Sequence, residues 1–200
     1  MSKKRLVFAT GNQGKLREVK KILADLNVDI VSMKEEGIQI DVDENGTTFA
    51  ENAQIKATAI GAHTDAIVLA DDSGLVIDAL NGEPGIYSAR YLGEDTSYRI
   101  KNQNLIDRLE GVPDEKRTAR FVCAIAAALP DGTVLHTEGT IEGIIGYEER
   151  GENGFGYDPI FCVPKLGKTT AELTDDEKNA ISHRGSALEK MKVLLREYIN

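Results

Sequence analysis

The sequence predicts an α/β fold with a mixed central sheet flanked by helices. A strand, an amphipathic helix and a second strand follow one another within about thirty residues, which is typical of a βαβ unit with two parallel strands. Two long β-prone runs, Arg117–Leu129 and Thr133–Ile145, are joined by Pro130-Asp131-Gly132 and predict an antiparallel hairpin. A parallel pair and an antiparallel pair together indicate a mixed sheet.

The spacing of apolar residues divides the first half of the chain into elements. The predicted elements are, in order, a strand at 5–10, a helix after the turn at 11–14, a strand at 28–33, a polar loop at 34–46, a helix at 48–62 and a strand at 66–70. Thr48 and Glu51 form a capping-box pattern at the start of the second helix. Asp71 and Asp72 directly follow the third strand.

The second half begins with an alternating run at 75–80, and Asn81-Gly82 after it is a turn signal. A helix is predicted at 97–110, where Gly111 and Pro113 end it. After the hairpin come a glycine-rich loop at 151–159, a short helix opened by the capping box of Thr174 and Glu177, and a last helix that Ser182 could cap. The apolar stripe of the last helix consists of Leu188, Met191, Leu194, Leu195 and Tyr198.

The length and composition are those of an ordinary globular protein. The 200 residues are 41% hydrophobic and show neither a repeat nor a linker, so residues 1–200 are predicted as a single domain. The formal charge of −9 and the lack of a Lys/Arg block argue against a nucleic-acid partner. The longest apolar run is too short for a membrane span, and no signal peptide is recognisable. Two cysteines without metal-ligand spacing fit a reducing compartment, which predicts a cytoplasmic protein.

The first candidate motif is Thr10-Gly11-Asn12-Gln13-Gly14-Lys15, between a strand and a helix. Glycines allow the backbone to approach an anion, a helix start offers N–H groups, and Lys15 adds a cation. The motif is not a Walker A loop, because Ala9 precedes Thr10 where that loop has glycine. A tight turn with a solvated lysine is an equally good interpretation of this motif alone.

The second candidate is Asp71-Asp72-Ser73-Gly74, at the predicted carboxyl end of a buried strand. Ligands of open α/β sheets bind at this end of the strands. Mg²⁺ would relieve the repulsion between adjacent carboxylates, since that ion is typically held by one or two carboxylates, water and phosphate. The alternative is a turn in which the aspartates cap neighbouring N–H groups. We favour the metal site.

Three further groups are weaker in isolation. Glu44 lies in the acidic stretch 41–44, which could equally be an acidic loop. Lys56 shares a helix face with Asn52, and that face could equally be solvated. The loop Phe155-Gly156-Tyr157-Asp158 offers a stacking plate for a base, or aromatics that fill the core. Lys178, His183 and Arg184 combine three cationic or hydrogen-bonding groups at a helix start and predict an anion or carbonyl-oxygen site.

The motifs occur together in a specific order: TGNQGK, TTFAENAQIKA, ADDSGLVIDALNGEPGIYSARY, GFGYDPIF and ELTDDEKNAISHRGSAL. In this order they closely resemble the inosine triphosphate pyrophosphatase family over essentially the whole chain. The resemblance implies an elongated α/β fold with two lobes around a substrate cleft, usually a homodimer. It implies hydrolysis of ITP, dITP and XTP to the monophosphate and pyrophosphate with Mg²⁺ as cofactor.

The resemblance also implies roles for the candidate residues. Glu44, Asp71 and Asp72 would hold Mg²⁺, and Asp72 would also be the general base. The residues that would contact the substrate are Thr10, Gly11, Asn12, Gln13, Gly14, Lys15, Lys56, Ser73, Phe155, Gly156, Tyr157, Asp158, Lys178, His183 and Arg184. Two alternatives stay open from the sequence: a nucleotide sensor that does not cleave its ligand, and a phosphatase that releases orthophosphate.

Overall fold

The computed structural model describes residues 3–199 and shows a seven-stranded mixed sheet with five α-helices, which confirms the predicted fold class. The strands lie in the order β2-β1-β3-β4-β5-β6-β7. In chain order the elements are β1 (Lys4–Phe8), α1 (Gln13–Ile22), β2 (Val28–Ser32), α2 (Phe49–Gly61), β3 (Ile67–Ile77), α3 (Tyr98–Arg108), β4 (Thr118–Ala128), β5 (Val134–Ile145), β6 (Phe161–Val163), β7 (Lys168–Thr169), α4 (Asp175–Ile181) and α5 (His183–Ile199).

The sheet is mixed because its two ends pair differently. β1 pairs in parallel with both β2 and β3, as expected for βαβ connections. β6 pairs antiparallel with both β5 and β7. β4 and β5 are neighbours joined by the tight turn at 129–133, where the Leu129 N–H donates to the Thr133 carbonyl at 2.8 Å.

The third strand is longer than the sequence predicts. We expected it to end at Ala70, but β3 continues through Asp71-Asp72-Ser73-Gly74 to Ile77, so the predicted strand end is wrong. Adjacent aspartates are tolerated inside the strand because each carboxylate has a protein partner: Lys15 for Asp71 and Asn52 for Asp72. The last β1–β3 register pair is Phe8 with Leu69, so both aspartates still lie beyond the end of β1.

The chain divides into two compact units. The first comprises Met1–Asp72, Cys123–Gly139 and His183–Asn200, and the second comprises Ser73–Val122 and Thr140–Ser182. In the first unit, apolar clusters cover both faces of β1 and β3: Leu6 and Phe8 pack with Leu188 and Met191 of α5, while Val7 packs with residues of α2. The core of the second unit is built around Leu75, Leu105, Phe121, Tyr157 and Phe161. The prediction of a single domain over 1–200 stays a prediction.

The helix ends follow local capping chemistry. Thr48 and Ser97 are the N-caps of α2 and α3, and Thr174 forms the predicted capping box with Glu177 at the start of α4. The apolar stripe of α5 buries Leu188, Met191 and Leu195 as predicted, but Leu194, which was also assigned to the stripe, is exposed. Among the helices of residues 3–199, none combines the length and the apolar character that a bilayer crossing needs.

Candidate active site

The predicted site residues fall into two sets, one in each compact unit. The first set contains the loop Thr10–Lys15, Glu44, Lys56, the Asp71–Asp72 pair and His183–Arg184. The second contains Ser73, which follows Asp72 in β3, the loop residues Phe155, Gly156, Tyr157 and Asp158, and Lys178.

The loop Thr10–Lys15 joins β1 to α1 and is closed by its own side chains. Asn12 is the N-cap of α1, and its Oδ1 accepts hydrogen bonds from the N–H groups of Gly14 at 2.8 Å and Lys15 at 3.2 Å. Thr10 Oγ1 in turn accepts from the Asn12 N–H at 3.0 Å. The cap therefore already uses two of the amides that the sequence assigned to an anion, and the phosphate role of this loop stays a prediction.

Asp71 is a buried carboxylate held by two cations. Its side chain is 1% exposed, and Oδ2 lies 3.0 Å from Lys15 Nζ and 3.2 Å from Arg184 Nη2. Burial by itself would raise the pKa of Asp71, but the positive charges of Lys15 and Arg184 outweigh burial and hold the pKa below its ordinary value. Asp71 is therefore ionised at neutral pH and fixes two cations from distant parts of the chain.

Asp72 has a different environment from its neighbour. Its Oδ2 accepts a hydrogen bond from Asn52 Nδ2 at 3.1 Å. Burial raises the pKa of Asp72 to about 6, and the nearby charge of Glu44 adds to the rise, although Asn52 and Lys56 oppose it. A carboxylate whose pKa lies this close to neutrality suits proton acceptance in a reaction at neutral pH.

Lys56 connects Glu44 to the aspartate pair. Its ammonium lies 3.0 Å from Glu44 Oε1 and donates to the backbone carbonyl of Asp71 at 3.0 Å. Asn52, one turn earlier on α2, accepts from the Gly46 N–H at 2.8 Å and thereby ties the same loop to Asp72. The structure thus brings together an acidic loop, a helix and a strand that are far apart in the sequence.

The three carboxylates predicted to hold a metal do not form a ready ligand set. Within residues 3–199, no three acidic, histidine or cysteine side chains are grouped so that they could hold a metal ion. The Asp71 carboxylate is buried between Lys15 and Arg184, whereas Glu44, which pairs with Lys56, and Asp72, which accepts from Asn52, are partly exposed. Two carboxylates are enough for Mg²⁺ when water and substrate phosphates complete its shell. Glu44 and Asp72 therefore fit such an ion.

Glu18 is a site residue that the sequence did not reveal. Arg184, 2% exposed, forms a short ion pair with Glu18 through Nη1 in addition to its contact with Asp71. On the sequence, Glu18 is an ordinary polar position of an amphipathic helix, and no motif marks it. The guanidinium of Arg184 thus lies between two carboxylates rather than standing alone at a helix start.

Gly139 of β5 allows the start of α5 to approach the sheet. A Cβ at this position would lie 2.2 Å from the His183 carbonyl oxygen and 2.6 Å from the Ala187 nitrogen. Thr137 Oγ1 also donates to the Ala187 carbonyl at 2.9 Å. The backbone that carries His183 and Arg184 is therefore packed directly on a glycine that no motif had marked.

Gly139→Ala is expected to lower the free energy of unfolding by about 1–3 kcal/mol, because the added methyl group must displace the start of α5. Urea unfolding measures this change. Gly11→Ala is the matched control, since a Cβ at Gly11 meets nothing within 4 Å. Equal unfolding free energies for the two variants would contradict the close packing at Gly139.

In the second unit, Asp158 organises the glycine-rich loop. Its carboxylate accepts hydrogen bonds from the Phe155 N–H at 2.8 Å, Thr170 Oγ1 at 2.8 Å and Lys178 Nζ at 2.7 Å. The Lys178 ammonium also lies 4.7 Å from the centre of the Phe155 ring. Asp158 and Lys178, both predicted to touch the substrate, therefore also shape the loop that presents Phe155.

Tyr157 is buried, in contrast to the half-buried Phe155 before it. Its hydroxyl donates to the Ser88 carbonyl at 2.6 Å, and its ring packs in the core of the second unit. Of the two aromatic residues of this loop, Tyr157 thus anchors the loop, and the stacking role of Phe155 stays a prediction.

Comparison with known proteins agrees with this architecture. The model of the Ham1 family matches residues 6–194. The dITP/XTP pyrophosphatases of Exiguobacterium sibiricum and Bacillus subtilis are 47% and 48% identical to this chain over 195 and 192 residues, which cover 98% and 96% of this chain and 98% and 97% of those proteins. The structure of the Staphylococcus aureus Ham1 protein superposes with a TM-score of 0.87 at 44% identity, covering 98% of this chain and 100% of that one. The resemblance seen in the sequence motifs is confirmed, and the chain belongs to the Ham1 family.

Proposed function

We propose that this protein hydrolyses the non-standard purine nucleoside triphosphates ITP, dITP and XTP to the monophosphate and pyrophosphate. Relatives that match nearly the whole chain carry the name dITP/XTP pyrophosphatase. The observation that carries the proposal is the convergence of Asp71 and Asp72 with the ammonium groups of Lys15 and Lys56. Carboxylates and cations in one place suit the cleavage of a phosphoanhydride more than binding alone.

The proposed chemistry is in-line attack of water on the α-phosphorus. A P–O bond to water forms, the bond from the α-phosphorus to the bridging oxygen breaks, and pyrophosphate leaves with that oxygen. Asp72 accepts the proton of the attacking water. Lys15 and Lys56 stabilise the negative charge that grows on the leaving group.

Glu44 and Asp72 would hold Mg²⁺, the proposed cofactor. Bound there, the ion would neutralise phosphate charge and orient the reacting groups. Asp71, by contrast, is proposed to act through the cations, because its carboxylate fixes Lys15 and Arg184. This assignment gives the two adjacent aspartates separate tasks: Asp72 meets the reacting groups, and Asp71 positions the positive charges.

Base choice is proposed to depend on donors aimed at the 6-keto oxygen of hypoxanthine and xanthine. Adenine has an amino group at this position, so buried donors would face another donor and stay unpaired. The Arg184 guanidinium is engaged by Asp71 and Glu18, and we therefore assign these donors to the backbone at His183–Arg184. Phe155 is proposed as the stacking surface for the base.

The test is product analysis of ITP with Mg²⁺. We expect pyrophosphate and the monophosphate in equal amounts, a loss of product with EDTA, and turnover of ITP and XTP at least about 10²-fold above that of ATP. Orthophosphate as the first product would indicate a phosphatase, and tight binding without product would indicate a sensor. Equal rates for ITP and ATP would contradict the proposed selectivity. The cytoplasmic location and the homodimer stay predictions.

A further inference from the structure

The backbone of the loop that carries Phe155 needs support from outside the loop. Gly154 and Gly156 have φ values of +72° and +67°, in the region that glycine enters readily and other residues rarely adopt. Glycine has wide conformational freedom, so the observed conformation must be selected by contacts. Asp158 provides one such contact at the Phe155 N–H.

Asn102 of α3 provides the second contact. Its side-chain amide donates to the Gly156 carbonyl at 3.2 Å and to Glu149 Oε1 at 2.8 Å, and the residue is 1% exposed. Both partners are acceptors, so only a group with two N–H donors can satisfy them together. The position therefore requires a side chain with at least two N–H donors, which the amide of Asn102 supplies.

The side-chain oxygen of Asn102 makes no such contact within the described residues. Oδ1 is buried, and no donor from residues 3–199 reaches it. A buried acceptor without a partner lowers stability. Within the described residues, the contacts of the Asn102 side chain are therefore those of its N–H groups, with the Gly156 carbonyl and Glu149.

The same helix supports the loop with an aromatic contact. The Tyr98 ring packs edge-on against the Tyr157 ring, with centroids 5.1 Å apart. A Cβ on Gly156 would lie 3.6 Å from the Tyr98 ring. Lys101, buried like Asn102, lies 4.9 Å from the Tyr98 ring centre and donates to the Ala89 carbonyl at 2.7 Å. The first two turns of α3 thus form a support beneath Gly156 and Tyr157.

We infer that Asn102 is a positioning residue for purine-base selection, which fixes the Gly156 carbonyl and so sets where Phe155 meets the base. The inference rests on the proposed function. It assigns to α3, which no site motif includes, a part in base binding but none in phosphate cleavage.

The test is Asn102→Asp, which replaces the donor with a carboxylate facing two acceptors. We expect the KM for ITP to rise at least tenfold, while kcat stays within threefold of wild type. The inhibition constant of inorganic tripolyphosphate, which has no base, should stay within twofold. Hydrogen exchange of the peptide 151–160 should become faster, and this readout does not depend on turnover.

Asn104→Asp is the matched control on the same helix. Asn104 Oδ1 accepts from the Tyr91 hydroxyl at 2.7 Å, and a carboxylate can accept that bond equally well. All four measured quantities should therefore match wild type. Adding Glu149→Gln to Asn102→Asp separates the two partners of Asn102: the KM defect should persist in the double variant, and full recovery would overturn the role of the Gly156 contact.

A wild-type KM together with wild-type exchange in Asn102→Asp would overturn the inference. Equal increases in KM and in the tripolyphosphate inhibition constant would also overturn it, because they would indicate general damage. If Asn102→Asp does not fold, Asn102→Ala decides, with a severalfold rise in KM expected and an unchanged KM as the contrary result. A wild-type enzyme that releases no pyrophosphate from ITP contradicts the proposed function instead, and the exchange measurement still decides the role of Asn102.

Discussion

Asp72→Asn is expected to lower the turnover of ITP by about 10²- to 10⁴-fold, because it removes the proposed proton acceptor. The substitution keeps the size of the side chain and an oxygen that can still accept the hydrogen bond from Asn52. The thermal unfolding midpoint should therefore stay close to that of wild type. Pyrophosphate release at saturating ITP and Mg²⁺ measures the change.

The control for this variant is Asp43→Asn, which removes one acidic charge from an exposed position next to Glu44. Its turnover should match wild type. If Asp72→Asn hydrolyses ITP at close to the wild-type rate, Asp72 is not the proton acceptor, whether or not it binds the metal.

Asp71→Asn, unlike Asp72→Asn, is expected to lower the stability of the fold strongly. The carboxylate is 1% exposed and pairs with Lys15 and with Arg184, so its removal takes the carboxylate from Lys15 and one of the two carboxylates next to the buried Arg184 guanidinium. Breaking a buried pair in this way costs about 3–5 kcal/mol. For a chain of this size, that corresponds to a thermal midpoint about 6–20 °C below wild type.

Differential scanning calorimetry of the two neighbouring variants compares these expectations directly. Both substitutions remove one negative charge from β3, so any general effect of charge is shared. A midpoint for Asp71→Asn as high as that of Asp72→Asn would show that the Lys15–Asp71–Arg184 group does not stabilise the fold.

The sequence predicted those features of the fold that depend on residues close together in the chain. The apolar spacing around 5–33 predicted the parallel strand pair, and the Thr174–Glu177 pattern predicted a capping box that the structure contains. The aspartate pair was predicted to follow the third strand directly, and this strand end is wrong because β3 runs from Ile67 to Ile77. Charged residues usually end a strand, and only the partners of Asp71 and Asp72 explain why β3 continues.

Contacts between distant segments could not be predicted from these patterns. Arg184 meets Asp71 across 113 positions of the chain and Glu18 across 166. Neither spacing nor composition indicates these two contacts, so the sequence predicts Arg184 only as a substrate contact and gives no sign of Glu18. Asn102 and Gly139 were missed for the same reason, because their roles depend on a backbone carbonyl or a helix start from another part of the fold.

The grouped acids and cations of the first unit are proposed to direct water to the α-phosphorus of a nucleoside triphosphate. Hydrolysis of ITP in H₂¹⁸O with Mg²⁺, followed by mass spectrometry of both products, identifies the phosphorus that water attacks. We expect one ¹⁸O atom in the monophosphate and none in pyrophosphate. Label in pyrophosphate, which means attack on the β-phosphorus, or labelled orthophosphate as the first product would contradict this proposal.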